Sequence, residues 1–135
     1  MNLKQIAKDT AKTLQSYLTY QALKTVLNQL GETNPPLALW LQSFSADKIQ
    51  DSEAYIQSLF QEKADLALRI MTVREHIAEE ITEYLPEMVR DGIHQANMQH
   101  RRQHLERMAQ INMPHPSSQS EQQPTSDPNL GNSPS

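Results

Sequence analysis

The chain has 135 residues, no cysteine and a formal charge of −4 at neutral pH. That length allows one domain, the missing cysteines remove disulfides, cysteine–zinc sites and thiol catalysis, and the acidic balance counts against a dedicated nucleic-acid binder, which needs a clear excess of Lys and Arg. No apolar run approaches the roughly 18–20 residues of a membrane span, and the opening MNLKQIAKDTAKTL alternates charge with apolar residues where a signal peptide needs an unbroken apolar stretch. The expected start of the mature protein is therefore Met1, and the expected compartment is the cytosol. Scarce glycine beside plentiful Leu, Ala, Gln, Glu and Met predicts an all-α fold.

In chain order, a first helix is predicted from about Leu3 to Leu30, ended by Gly31 in the left-handed conformation common at helix C-termini. It has two apolar sides. Leu3, Ile6, Leu14, Tyr17 and Leu18 share one, and Leu23, Val26, Leu27 and Leu30 lie on nearly the opposite one. In ETNPPLALWLQSF, Asn34 can cap and Pro35 suits a first helical position, which predicts a second helix to about Ser43. After the connector FSADKIQ, Asp51 can cap a third helix ending near Gln61, with Glu53 well placed in its first turn.

A fourth helix begins near Ala64 or Asp65, and its periodicity persists to about Ile111, a span of roughly 70 Å at 1.5 Å per residue. Leu66, Ile70, Val73, Ile77, Ile81, Tyr84, Leu85 and Met88 form its apolar stripe, while Arg69, Thr72, Glu75, His76, Glu79, Glu83 and Arg90 fall opposite. Pro86 removes one backbone donor and crowds the carbonyl of Thr82, so the helix is expected to bend there instead of ending. From Pro114 the composition turns to Pro, Ser, Gln and Asn, which predicts a helical domain over residues 1–113 and a disordered polar tail over residues 114–135.

A domain of about 110 ordered residues has a radius of gyration near 13 Å, so its shorter helices cannot cover a helix of about 70 Å. The two-sided first helix makes the same demand. An isologous homodimer meets both; a single bundle buried on several sides is the other solution.

Reactive chemistry has little to stand on. Glu75, Glu79, Glu80, Glu83 and Glu87 crowd one helix, but on its solvated side. His76, His94, His100 and His104 invite a metal, with His100 and His104 one turn apart, yet neither Glu-x-x-His on two helices nor His-Glu-x-x-His occurs, and only Asp91-x-x-His94 comes near. No phosphate loop or nucleophile elbow is present. The expectation is a non-enzyme with no cofactor, no metal, no nucleic acid and no membrane. The basic cluster of His100, Arg101, Arg102, His104 and Arg107 complements a helix C-terminus or meets an anionic patch on a protein partner.

Tyr17 and Tyr20 flank the point where the first helix changes its apolar side. Either core packing or recognition explains them, since a partly buried tyrosine offers ring surface and a hydroxyl together.

The run AKDTAKTLQSYLTYQAL, followed by QLGETNPPLALWLQSFS and then by LALRIMTVREHIAEEITEYLPEMV and HRRQHLERM, closely resembles the RbcX family of Rubisco assembly chaperones from cyanobacteria. The resemblance covers essentially residues 1 to 111. It implies an arc-shaped homodimer of four-helix protomers, each with a long Pro-kinked C-terminal helix. The implied partner is the Rubisco large subunit, whose C-terminal segment would lie in a central groove lined by Tyr17, Tyr20, Ile49 and Gln50. Contacts to the body of the large subunit would come from Gln29, Glu32, Arg69 and Arg101. The implied location is cytoplasmic, with carboxysome association left open. A helical dimeric adaptor or regulator, binding another protein or nucleic acid through the basic end, is the alternative.

Overall fold

A computed structural model describes residues 1–112, and these contain helices and turns but no strand. The predicted polar tail lies outside the described residues. Five helices follow in order: α1 (Leu3–Thr33), α2 (Pro35–Ser45), α3 (Ser52–Glu62), α4 (Ala64–Ile81) and α5 (Leu85–Asn112). The chain divides into two compact units, Met1–Pro86 and Glu87–Ser135.

Local chemistry sets most of the boundaries. The Asn2 side chain accepts from the Gln5 amide at the start of α1. Asn34 accepts from the Leu37 amide at 3.3 Å, ahead of Pro35 in the first position of α2, and Asp51 accepts from the Ala54 amide at 3.2 Å ahead of α3. Each side chain satisfies one of the backbone donors a helix start leaves free. Gly31 does not end α1. No described residue has positive φ, the helix runs to Thr33, and the Asn34 amide still donates to the Leu30 carbonyl at 2.7 Å. The stop comes from the residue ahead of Pro35, which the proline ring excludes from helical geometry; Asn34 sits at φ −154, ψ 77.

The long fourth helix of the sequence reading is two helices. Residues 82–84 form a turn, in which the Thr82 amide donates to Ala78 and the Tyr84 amide to Ile81, both at 3.1 Å. The ladder cannot continue unchanged, because Pro86 has no amide hydrogen and its ring crowds the Thr82 carbonyl. The chain tightens by one short turn and restarts, with Pro86 second in α5, where a missing donor costs nothing. The bend expected at Pro86 is thus a break four residues earlier.

The core of the first unit comes from α1 to α4. Ala22, Leu23, Val26 and Leu30 of α1 meet Leu41 of α2, Tyr55, Ile56 and Leu59 of α3, and Leu66, Ala67 and Ile70 of α4. The one phenol in this core is satisfied: Ser45 donates to the Leu41 carbonyl at 2.7 Å, so its oxygen is left to accept from the Tyr55 hydroxyl at 2.6 Å. Burial pushes the Tyr55 phenol up from its ordinary pKa. Trp40 stacks on Phe44 with centroids 5.0 Å apart, and the Lys48 ammonium sits 3.8 Å above the Phe44 ring, so α2 seals the outer edge of the core. Described by itself, α5 buries none of its residues: Ile93, Leu105 and Ile111 are 58, 66 and 75% exposed.

Candidate functional site

Tyr17 and Tyr20 are three residues apart and so share one side of α1. Both face solvent, at 58 and 44% exposure, whereas Leu18 and Thr19 between them are buried at 6 and 0%. Core packing, one of the two readings open in the sequence, is therefore not what these tyrosines do within their own chain. Their backing is firm, because the same turn of helix is fixed by buried side chains. The Lys24 ammonium lies 5.6 Å from the centre of the Tyr20 ring, so the pair carries a cation at its C-terminal end.

Ile49 and Gln50 close the turn of residues 46–50 between α2 and α3. Ile49 is half-buried against the core. Gln50 is exposed and lines a surface cleft with Lys12, Gln15 and Ser16 of α1 and with Ser52 and Glu53 of α3. The structure brings Gln50 beside Ser16, the residue before Tyr17, so both parts of the expected groove adjoin the same stretch of α1.

Of the four expected peripheral contacts, three gather in the first unit. The Arg69 guanidinium donates to the Gln29 side-chain carbonyl across 40 positions of sequence, and Glu32, one turn beyond Gln29 on α1, is exposed. Arg101 belongs to the second unit, where it is exposed on α5 and shares a shallow apolar cleft with Met98, Arg102 and Leu105.

Arg74 and Glu53 form a feature the sequence reading missed. Arg74 Nη1 and Nη2 donate to Glu53 Oε2 and Oε1 at 2.8 and 3.1 Å, and Nη1 also donates to Thr19 Oγ1 at 3.0 Å. These hydrogen bonds from Arg74, with one from Ser52, hold the Glu53 carboxyl below its ordinary pKa against partial burial, which pushes it up. No spacing rule joins residues 21 and 55 positions apart; the only sequence signal is an arginine beside the apolar stripe of α4.

The histidines and glutamates behave as surface groups. His76 Nε2 lies 3.3 Å from Glu80 on the same helix, both well exposed, and among the described residues no three metal-binding side chains converge. No described helix is long and apolar enough to cross a membrane.

The candidate site is a helical surface with exposed aromatic rings on a buttressed helix, a polar turn beside them and hydrogen-bonding side chains at a distance. A family model described as RbcX protein matches residues 1–110. The chain belongs to the RbcX family. It is similar to the RuBisCO chaperone RbcX of an Anabaena species, 76% identical over 98% of each chain, and to the protein of the same name from a Nostoc species, 75% identical over 94% of this chain and 96% of that one. A crystal structure of RbcX in complex with substrate superposes with a TM-score of 0.74 at 52% identity, covering 81% of this chain and 99% of the other.

Proposed function

We propose that this protein is an assembly chaperone for Rubisco, acting as a homodimer that binds the C-terminal segment of the large subunit and promotes assembly of large subunits. The observation that carries the reading is the pair Tyr17 and Tyr20, held outward on a helix whose opposite side is buried in the core. Rings presented this way are pre-organised for an extended segment, and each apolar side chain they cover contributes up to about 1.5–3 kcal/mol. Membership of a family whose relatives are named RuBisCO chaperones supplies the client.

The mechanism has two contacts. Tyr17, Tyr20, Ile49 and Gln50 hold the segment, which shields it from misassociation. Gln29, Glu32, Arg69 and Arg101 make a second, polar contact with the body of the large subunit that orients a pair of subunits and releases them as assembly proceeds. Neither contact needs bond-making chemistry, a cofactor or a metal, and the proposed compartment is the cytoplasm. Dimerisation accounts for the apolar side chains that the chain leaves uncovered on α1 and α5.

The test separates the two contacts. Tyr20→Ala is expected to abolish binding of a peptide copied from the large subunit's C-terminus, a loss of about 2 kcal/mol or more and so roughly thirty-fold, with the dimer intact. Arg69→Ala and Arg101→Ala are expected to leave peptide titrations unchanged while impairing assembly of large subunits. Equal weakening of the peptide by Arg69→Ala and Tyr20→Ala would refute the two-contact mechanism.

A further inference from the structure

We propose that Arg74 and Glu53 are positioning residues for the peptide groove: together they fasten the helix that carries the tyrosines to the turn that carries Ile49 and Gln50. The inference rests on the groove assignment above and concerns two residues that touch no client themselves.

The clamp begins on the back of α1. At 100° per residue, Tyr17 and Tyr20 lie about 60° apart on the helix surface, while Thr19 lies on the far side from Tyr17. Thr19 is fully buried, and its hydroxyl is already committed as a donor to the Gln15 carbonyl at 2.8 Å. Its oxygen is therefore left to accept, and Arg74 of α4 fills that place at 3.0 Å. One arm of the guanidinium thus sets the height and rotation of α1 at the residue adjoining Tyr20.

The remaining bonds reach the other part of the groove. Glu53 is the second residue of α3, three positions after Gln50, and takes the two Arg74 nitrogens in a fork. Ser52, buried at 4%, donates to Glu53 Oε2 at 3.0 Å, and its oxygen lies 3.4 Å from the Ser16 hydroxyl of α1. The hydroxyl beside Tyr17 and the arginine behind Tyr20 therefore converge on the same two residues at the start of α3. The fork on Glu53 fixes the plane of the guanidinium, so the Nη1 that also donates to Thr19 is held in a set direction and ties α1 to the start of α3.

The chemistry also separates positioning from stability. The Glu53 end of the pair is 62% exposed and the Arg74 end 22%, and a pair open to solvent at one end contributes modestly to folding. A two-ended clamp on a recognition surface has a larger effect on binding than on unfolding, because a displaced anchor loses its contacts with the client while the core beneath is unchanged.

The experiment is a peptide titration by calorimetry with Arg74→Met, Glu53→Gln, the double variant and Arg74→Lys, each paired with a thermal melt and a measurement of dimer mass. Expected are a five- to tenfold loss of peptide affinity in Arg74→Met and Glu53→Gln, no further loss in the double variant, and partial recovery in Arg74→Lys, which keeps the charge but not the fork. Melting temperature should fall by a few degrees at most, dimer mass should hold, and the ring signals of isotope-labelled Tyr17 and Tyr20 should shift in Arg74→Met. Wild-type affinity in Arg74→Met, or an affinity loss that merely tracks a lowered melting temperature, would overturn the inference. Undiminished binding by Tyr20→Ala would instead overturn the groove assignment on which it rests, so the two failures are distinguishable.

Discussion

Residues 22–30 of α1 and residues 3–17 of the same helix have opposite fates. In the first stretch Ala22, Leu23, Val26 and Leu30 are all buried at 5% exposure or less; in the second, Leu3, Ile6 and Tyr17 stand 70, 49 and 58% exposed. Both stretches are apolar enough to join a core, and α2, α3 and α4 supply one only for the first. An apolar helical side without a partner in its own chain calls for one outside it. The same applies to α5, whose Met98, Leu105 and Met108 are 46, 66 and 42% exposed. One end of α1 builds the fold, and the other leaves its apolar side chains exposed.

Four measurements test that contrast. The largest effect belongs to the buried end's partners: Leu41→Ala, at a fully buried position, is expected to lower stability by about 2–5 kcal/mol in urea titrations, while Tyr17→Ala shifts the same midpoint by less than about 0.5 kcal/mol. Comparable losses would mean that Tyr17 belongs to the fold. Next comes the oligomer. Sedimentation equilibrium at micromolar concentration is expected to return about twice the 15.4 kDa protomer, and Ile6→Asp to move the mass toward one protomer by placing a charge on the uncovered side.

A smaller effect is expected at Glu53. Its carboxyl is more acidic in the folded chain than its ordinary value, so its contribution is fully present above the ordinary carboxylate range and is lost as pH falls through the lowered one. Glu53→Gln should cost less than about 1 kcal/mol at neutral pH, the partial exposure of the pair keeping it small, and the difference should shrink as titrations are repeated toward pH 3. A difference that grows on acidification would contradict the direction of the shift. Smallest of all is removal of the chain beyond Met113, expected to leave the melting temperature and peptide affinity unchanged, since those residues lack the apolar side chains a core or groove requires.

The helix caps and two residues of the candidate site, Tyr17 and Tyr20, were legible residue by residue, and the reasons are local, whereas the other candidate residues came only from the family resemblance. Asn34 and Asp51 declared themselves as caps because a cap depends on its own side chain and the next three amides. Tyr17 and Tyr20 stood out because they sit where the apolar pattern of α1 changes side, although that pattern could not say whether a ring faced core or solvent. Gly31 misled for the same local reason: a glycine that permits a helix stop does not compel one, and the proline after Asn34 did. The Gln29–Arg69 bond and the Arg74–Glu53–Thr19 clamp had no sequence signature, since they join residues 21 to 55 positions apart.

Periodicity, capping residues and two prolines are enough to establish that this chain is helical, where its first four helices begin and that its apolar surface exceeds what one protomer can cover. These are short-range properties, written in side-chain spacing and backbone chemistry within a few residues. Only the tertiary structure decided which side of α1 is buried, that Tyr17 and Tyr20 point outward, and that one arginine on α4 fastens both α1 and the start of α3. Each of those depends on which helices meet, and packing chooses among contacts that the same local patterns permit equally.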